Sequence, residues 1–160
     1  MTVAVWRIAT DTPAYEAHDL SGKGAELHGG RWNRPGRAAV YAATSIALAC
    51  LETIVHLNQG GLPLNRFLVR VDVPDDIWEA RQVHLAADLP VGWSAIPEGR
   101  VSLDTGQHWL DERNAALLLV PSVIVPEELN VLINVAHPET VRIKGIKVRP
   151  WLYDTRVRFA

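Results

Sequence analysis

The chain has 160 residues, of which 48% are hydrophobic, and a formal net charge of -2. This length is enough for one buried core and too short for two catalytic domains. Its lysines and arginines are scattered, so the chain lacks the basic field that holds a nucleic-acid backbone, and nucleic acid is not an expected partner. Cys50 is the single cysteine, which excludes an internal disulfide and predicts a reducing, cytoplasmic location.

The start of the sequence lacks the basic head and apolar core of a signal peptide. The longest apolar stretch, residues 115–125, is interrupted by Pro121 and Ser122. It falls short of the roughly 20 residues that cross a bilayer. No membrane association is therefore expected.

The N-terminal half is predicted to begin with a strand at residues 3–8 and a turn at 11–13. Residues 23–37 are rich in Gly, Arg and Asn and predict a long loop or irregular strand, which a short strand follows at 38–42. Thr44 or Ser45 is a suitable N-cap for a helix that ends near residue 57, before the Asn-Gln-Gly-Gly sequence at 58–61.

The C-terminal half is predicted to contain one strand, a loop, one helix and four further short strands. In that order they lie at residues 67–73, 89–100, 104–118, 120–125, 131–134, 141–148 and 151–159. Strands outnumber helices and are not regularly separated by them, as a parallel βαβ series would require. The sequence therefore predicts an α+β fold in a single domain that spans residues 1–160.

Arg31 lies in the predicted loop, within the sequence Gly-Gly-Arg-Trp-Asn at residues 29–33. Glycines permit close approach of a ligand to the backbone, and the planar guanidinium matches phosphate or ribose oxygens. Trp32 and His28 are close in sequence and could assist. The alternative is an exposed loop arginine that forms a surface ion pair.

Glu52 is predicted to lie on a largely apolar helix, where its helical neighbours are Leu48, Ala49, Val55 and His56. No Lys or Arg stands three or four residues away to pair with it. An unpaired carboxylate in that setting is costly unless it faces water or a binding site. The alternative is a helix that turns Glu52 and His56 toward solvent.

Tyr41 and Ser122 lie where predicted strands end or break. The ring of Tyr41 could stack on a ligand or its hydroxyl could bond a sugar, and the alternative is a core aromatic. The hydroxyl of Ser122 could bind an amide or a phosphate, and the alternative is a serine that caps the backbone. Asn130 and Asn134 could buttress a pocket or form turns.

The six histidines are far apart in sequence, and no His-x-x-x-His pair accompanies the lone cysteine. No metal site is therefore expected. A phosphate-binding Walker loop and a Gly-x-Gly-x-x-Gly turn are also absent from the sequence.

Arg31, Tyr41, Glu52 and Ser122 occur together in this order and setting. The pattern resembles the RES domain, a family named for its Arg, Glu and Ser that supplies the toxins of bacterial toxin-antitoxin pairs. The resemblance runs from about Trp6 to the C-terminal strand. It implies the mixed β-core and flanking helices of an ADP-ribosyltransferase-like fold, and an activity that consumes NAD as a substrate and uses no prosthetic group.

The resemblance also implies residue roles and a partner. Arg31 and Glu52 are the expected catalytic residues, with Glu52 stabilising the oxocarbenium-like state that forms when the nicotinamide–ribose bond breaks. The expected NAD-binding residues are Arg31, Tyr41, Ser122, Trp32, His28 and Asn134. The expected partner is an antitoxin with a helix-turn-helix domain that blocks the NAD pocket and forms a hetero-oligomer with the toxin.

The acceptor of ADP-ribose stays open. A protein acceptor would make the chain an ADP-ribosyltransferase, whereas water or phosphate would make it an NAD glycohydrolase or phosphorolase. Some ADP-ribosyltransferases carry a second acid two residues before the catalytic one, and Cys50 stands there in this chain. A non-catalytic nucleotide-binding module is disfavoured by the joint presence of the four motif residues, and an ordinary glycosidase or nuclease by the missing second carboxylate.

Overall fold

Alternate residues of one fully buried strand lie in different hydrophobic clusters, so the central sheet is covered on both faces. Leu117 and Leu119 belong to one cluster, and Leu118 and Val120 belong to another. Successive side chains of a strand point to opposite faces of a sheet, which accounts for this alternation. The computed structural model describes residues 1–57 and 61–157.

The described ranges contain seven strands and four α-helices. The strands are β1 (Thr2–Thr10), β2 (Val40–Ala43), β3 (Arg66–Pro74), β4 (Gln82–Val83), β5 (Leu117–Pro121), β6 (Leu129–Ile133) and β7 (Lys144–Trp151). The helices are α1 (Lys23–His28), α2 (Ile46–Ile54), α3 (Asp75–Glu79) and α4 (Arg100–Glu112), and short 3-10 turns cover Ala86–Asp88 and Pro138–Arg142. Within these ranges, no helix is long and apolar enough to cross a bilayer.

The seven strands form one mixed sheet in the order β4-β5-β6-β2-β1-β3-β7. β4 and β5 are parallel, and the other neighbouring strands are antiparallel. β1 pairs with β3 along its whole length, but it meets β2 at the single pair Trp6–Ala43. The sheet is therefore split between β1 and β2, and the predicted α+β fold with a mixed β-core is confirmed.

Helix α2 lies over this split. The Ser45 hydroxyl accepts a hydrogen bond from the backbone N–H of Leu48 at 3.1 Å, which makes Ser45 the predicted N-cap. Leu48 and Ala49 pack with Ala43 of β2 and with Trp6 of β1. The start of the predicted helix is confirmed, and its last residue is Ile54 rather than residue 57. The predicted closing residues 58–60 lie outside the described residues.

The prediction of a loop over residues 23–37 is wrong at its start, where Lys23–His28 forms α1. Glycines with a left-handed φ of 71°, Gly22 and Gly29, stand at the two ends of this helix. Because these glycines allow sharp turns on both sides, one and a half turns of helix fit inside a glycine-rich segment.

The predicted helix at 104–118 begins and ends earlier, as α4. Arg113 adopts a left-handed φ of 54° and terminates the helix, and the apolar residues beyond it form β5 against β6. A short apolar run does not distinguish a buried helix from a buried strand, so strand pairing decided the outcome. The predicted strand at 120–125 is accordingly β5, which ends at Pro121.

At the C-terminus, one strand replaces the two predicted at 141–148 and 151–159. A 3-10 turn at Pro138–Arg142 precedes β7, and β7 continues through Pro150 to Trp151. Residues 158–159 of the second predicted strand lie outside the described residues. Helix α3 and strand β4 were not predicted from the sequence, because elements this short carry little periodic signal.

We predict that Gly106→Ala destabilises the fold, although alanine favours a helix interior over glycine by about 1 kcal/mol. A Cβ at this position of α4 would overlap the backbone carbonyl of Trp32. The expected loss is about 3 kcal/mol, which lowers the Tm of a chain of this size by about 10 °C. Thermal denaturation tests this, with Gly99→Ala as control because its Cβ would meet no atom within 4 Å. Equal Tm values for the two variants would contradict the packing argument.

Candidate active site

The carboxylate of Glu52 is held by two side chains that are distant in sequence. The Ser122 hydroxyl donates to Glu52 Oε1 at 2.6 Å, and the Asn130 side-chain amide donates to the same oxygen at 2.7 Å. No described residue donates a hydrogen bond to Oε2. The carboxylate is therefore oriented through one of its oxygens, Oε1.

Glu52 faces the sheet because it continues the buried stripe of α2. On a helix, residues three and four positions apart share a face, and both Leu48 and Ala49 are buried. Val55 and His56, which follow Glu52, are exposed. The sequence left open whether Glu52 faces a site or turns to solvent with His56. In the structure, α2 turns Glu52 toward the sheet and His56 toward solvent.

Ser122 combines the two roles that the sequence left as alternatives. Its hydroxyl oxygen is buried and accepts hydrogen bonds from the backbone N–H groups of Ile124 and Val125, each at 3.1 Å. These donors shape the turn after β5. Because they occupy the oxygen lone pairs, the hydroxyl proton is directed to Glu52. The serine is thus a backbone cap and a partner of the carboxylate.

Asn130 reaches Glu52 from β6, where its backbone pairs with Ala43 on one side and Val120 on the other. Its side-chain carbonyl Oδ1 is buried and accepts no hydrogen bond from the part of the chain that the structure describes. Buried polar atoms are normally satisfied, so this acceptor beside the oriented carboxylate is a candidate contact for a ligand. The sequence suggested Asn130 only as a possible support.

Arg31 links the loop that carries it to a second loop, which contains Trp93 and Ala95. One guanidinium nitrogen, Nη1, donates to the backbone carbonyls of Trp93 at 3.1 Å and Ala95 at 2.7 Å. Arg31 forms no ion pair with any residue in the described ranges, so the surface ion pair considered from the sequence is not what it makes there. Its other nitrogens, Nε and Nη2, donate to no described residue and are available to an anion.

The hydroxyl of Tyr41 is fully used within the protein. It donates to Asn33 Oδ1 at 2.6 Å and accepts from the backbone N–H of Trp32 at 3.1 Å. Burial raises the pKa of Tyr41 above its ordinary value; the hydrogen bond from Trp32 acts in the opposite direction, and the nearby Glu98 carboxylate adds to the rise. Only the ring of Tyr41 therefore remains to meet a ligand.

The strand register places Tyr41 beside the Glu52 cluster. Tyr41 pairs with Leu132, and Asn130 lies two residues before Leu132 on the same face of the sheet. Such diagonal neighbours have Cα atoms about 7–8 Å apart. The sheet thus brings the loop that carries Arg31 and the cluster around Glu52 to one face.

Asn33 organises the loop that carries Arg31. It is buried, and its amide nitrogen donates to the carbonyls of Ala25 and Arg37 at 2.8 and 2.9 Å. Its carbonyl accepts from Tyr41. An asparagine in a glycine-rich segment was the available signal, since its side chain can satisfy several backbone groups of a turn.

Three predicted NAD-binding residues lie apart from Glu52. The ring of Trp32 is 3% exposed and stacks on Trp93 with 6.3 Å between centroids. Asn134 is buried beyond the other end of β6 and donates to the Leu110 carbonyl at 3.1 Å. His28 is exposed at the end of α1. The structure does not bring these three residues to the carboxylate, and their contacts with NAD stay predictions.

Residues 1–57 and 61–157 contain no group of three His, Cys, Asp or Glu side chains that could hold a metal ion.

Comparison with known proteins identifies the family. The model of the RES domain matches residues 4–156. The chain belongs to the RES domain family. This RES-domain chain is 61% identical over 157 residues to the Prs ADP-ribosylating toxin of Sphingobium sp. (strain YBL2), with 98% of each chain covered. It is 41% identical over 155 residues to Toxin Res of Pseudomonas putida, with 96% of this chain and 98% of the relative covered.

The RES fold is also found in a solved structure, the M. tuberculosis MbcT-MbcA toxin-antitoxin complex. The match has a TM-score of 0.66 at 17% identity and covers 94% of this chain and 86% of the other. The family predicted from Arg31, Glu52 and Ser122 is therefore confirmed. The prediction that this RES-domain protein is a toxin with an ADP-ribosyltransferase-like enzyme activity is also confirmed.

We predict that the stability of this RES-domain protein falls above about pH 10 through Tyr41. The folded state raises the pKa of Tyr41, so above the ordinary tyrosine pKa of about 10 the unfolded chain releases a proton that the folded chain retains. The free energy of unfolding then declines as pH rises. Urea denaturation from about pH 9 to 11 should show a shallower decline for Tyr41→Phe than for wild type.

Tyr15→Phe controls for the loss of a tyrosine hydroxyl as such. The result that contradicts the assignment is a wild-type pH slope that persists unchanged in Tyr41→Phe.

Proposed function

We propose that this RES toxin binds NAD as a consumed substrate, cleaves its nicotinamide–ribose bond at Glu52 and transfers ADP-ribose to a protein acceptor. The observation that carries the proposal is the Glu52 carboxylate, oriented through Oε1 by Ser122 and Asn130. Residues 1–160 act in this proposal as one catalytic domain, in the cytoplasm.

The chemistry calls for a fixed negative charge. Departure of nicotinamide leaves positive charge on the ribose, and a preorganised carboxylate stabilises that charge without having to reorganise during the reaction. Two donors on Oε1 hold the Glu52 side chain in one rotamer, and Oε2 then faces the ribose. Ser122 and Asn130 serve in this scheme as positioning residues for Glu52, and Asn130 Oδ1 is placed to accept a hydrogen bond from the substrate.

Arg31 and Tyr41 provide the NAD-binding surface. The Nε and Nη2 groups of Arg31 would bind the pyrophosphate, because Nη1 is occupied by loop carbonyls. Tyr41 would stack its ring on nicotinamide, because its hydroxyl is occupied. Among the other predicted contacts, the buried Trp32 supports the loop and the buried Asn134 supports β6. His28 is exposed, so it could meet the substrate directly.

The proposed acceptor is a protein. A relative that is 61% identical over 98% of the chain is named a Prs ADP-ribosylating toxin, and we propose the Prs protein as the acceptor here as well. The alternative is transfer to water or phosphate, as an NAD glycohydrolase or phosphorolase. Cys50 favours that alternative, because it occupies the position of a second, acceptor-orienting acid and burial raises the pKa of its thiol, which keeps it neutral.

The proposed partner is an antitoxin with a helix-turn-helix domain that blocks the NAD pocket, so that toxin and antitoxin form a hetero-oligomer. A solved structure with this fold is a toxin-antitoxin complex, which supports an antitoxin for this chain.

Purified toxin incubated with NAD labelled on the adenylate side tests the acceptor. Label on Prs that depends on Glu52 would support transfer. Free labelled ADP-ribose or its phosphate ester without labelled protein would support the alternative. Intact NAD, with neither labelled protein nor free labelled product, would contradict an NAD-consuming activity.

We predict that Glu52→Gln lowers kcat for NAD consumption by roughly 10³-fold, because the amide keeps the shape and loses the charge that stabilises the transition state. Ser122→Ala should lower kcat by a smaller factor, since Asn130 still holds Oε1. Steady-state kinetics measure both, and circular dichroism confirms that each variant is folded. Wild-type turnover in Glu52→Gln would remove Glu52 from the mechanism.

We predict that Arg31→Ala raises the KM for NAD by about tenfold or more, the effect expected when a charged hydrogen bond to substrate is lost. Arg37→Ala is the matched control, because Arg37 lies in the same loop and forms an ion pair with Asp111. The KM of the control should equal that of wild type. An unchanged KM in Arg31→Ala would mean that Arg31 binds no part of NAD.

A further inference from the structure

The catalytic helix α2 is tied to the C-terminal segment by a hydrogen bond between two hydroxyl groups. The Tyr153 hydroxyl lies 2.6 Å from Thr53 Oγ1, and Tyr153 is 6% exposed. Thr53 Oγ1 already donates its proton to the backbone carbonyl of Cys50 at 2.7 Å. Tyr153 is therefore the donor, and Thr53 the acceptor, in this partly buried contact.

The contact lies next to Glu52, near the C-terminal end of α2, which packs less against the sheet than the first part does. Helix α2 has nine residues, a length that is marginally stable without tertiary packing. Leu48 and Ala49 pack its first part against the sheet, whereas Val55 and His56 beyond Glu52 are exposed. The Thr53–Tyr153 bond thus fixes the turn that carries the carboxylate.

The turn of α2 that carries Glu52 is held from both halves of the split sheet. Ser122 and Asn130 hold Glu52 from the half that contains β5 and β6. Tyr153 follows β7, which belongs to the half with β1 and β3, and it packs edge-to-face on Trp151 with 6.5 Å between centroids. Because β1 and β2 share one residue pair, α2 with its two anchors also links the halves.

We propose that Tyr153, acting through Thr53, is a positioning residue for Glu52, an inference that rests on the proposed role of Glu52 in NAD cleavage. The Tyr153 hydrogen bond sets the rotation of α2 about its axis. A carboxylate about 6 Å from the axis moves by about 2 Å when a helix rotates by roughly 20°. Displacements of about 1 Å can lower a catalytic rate by about 10²-fold.

Kinetics of Tyr153→Phe test the positioning role. The variant keeps the ring that packs on Trp151 and loses only the donor. We expect kcat for NAD consumption to fall about tenfold with KM unchanged, since Arg31 and Tyr41 are untouched. Hydrolysis and transfer should fall by the same factor, because Glu52 acts before either acceptor attacks.

Substitutions at Thr53 separate positioning from general packing. Thr53→Val removes the acceptor and should lower kcat as Tyr153→Phe does. Thr53→Ser retains the hydroxyl and should therefore keep the wild-type kcat. The double variant Thr53→Val with Tyr153→Phe should be no slower than either single variant. Tyr15→Phe is the matched control, since its segment covers the opposite face of the sheet, and it should keep the wild-type kcat.

A measurement without NAD distinguishes failure of this inference from failure of the proposed function. The side-chain amide of Asn130 donates to Glu52, so its NMR signals should shift in Tyr153→Phe and Thr53→Val and stay in place in Thr53→Ser. Unshifted signals, a wild-type kcat in Tyr153→Phe, or a loss explained by the unfolded fraction would overturn the positioning role. Shifted signals with no NAD turnover in wild type would uphold it and refute only the proposed reaction.

Discussion

The hydrogen bonds to Glu52 Oε1 connect the parts of this protein on which its chemistry depends. A partly buried carboxylate is costly unless polar partners compensate for lost water, and Ser122 and Asn130 supply them. These bonds also join α2 to the turn after β5 and to β6. Glu52 is thus a structural junction between α2 and the strands that hold its carboxylate.

The junction lies where the sheet is split. β1 and β2 pair only at Trp6–Ala43 in the described residues, and α2 packs over this point through Leu48 and Ala49. Beside it, Asn33 and Tyr41 fix the loop that presents Arg31. Arg31 in turn holds the Trp93–Ala95 segment through Nη1, so its proposed binding role would fall to the other guanidinium nitrogens.

Local sequence signals predicted the elements whose causes are local. Ser45 predicted the start of α2 because a serine hydroxyl caps the adjacent turn, and strand-rich order without regular helices predicted the α+β class. The predictions failed where pairing decides, as at residues 115–121, whose apolar composition suits a buried helix as well as β5. Helix α1 was missed because its flanking glycines obscured a short helical signal.

By itself, the sequence determined the residue set, Arg31, Tyr41, Glu52 and Ser122, and through it the family. Only the tertiary structure decided how these side chains act: that Ser122 and Asn130 share one oxygen of Glu52, and that the Tyr41 hydroxyl is occupied. The physical reason is separation along the chain. The two hydrogen bonds to Glu52 span 70 and 78 residues, so folding of the sheet, and no local propensity, brings donor and acceptor together.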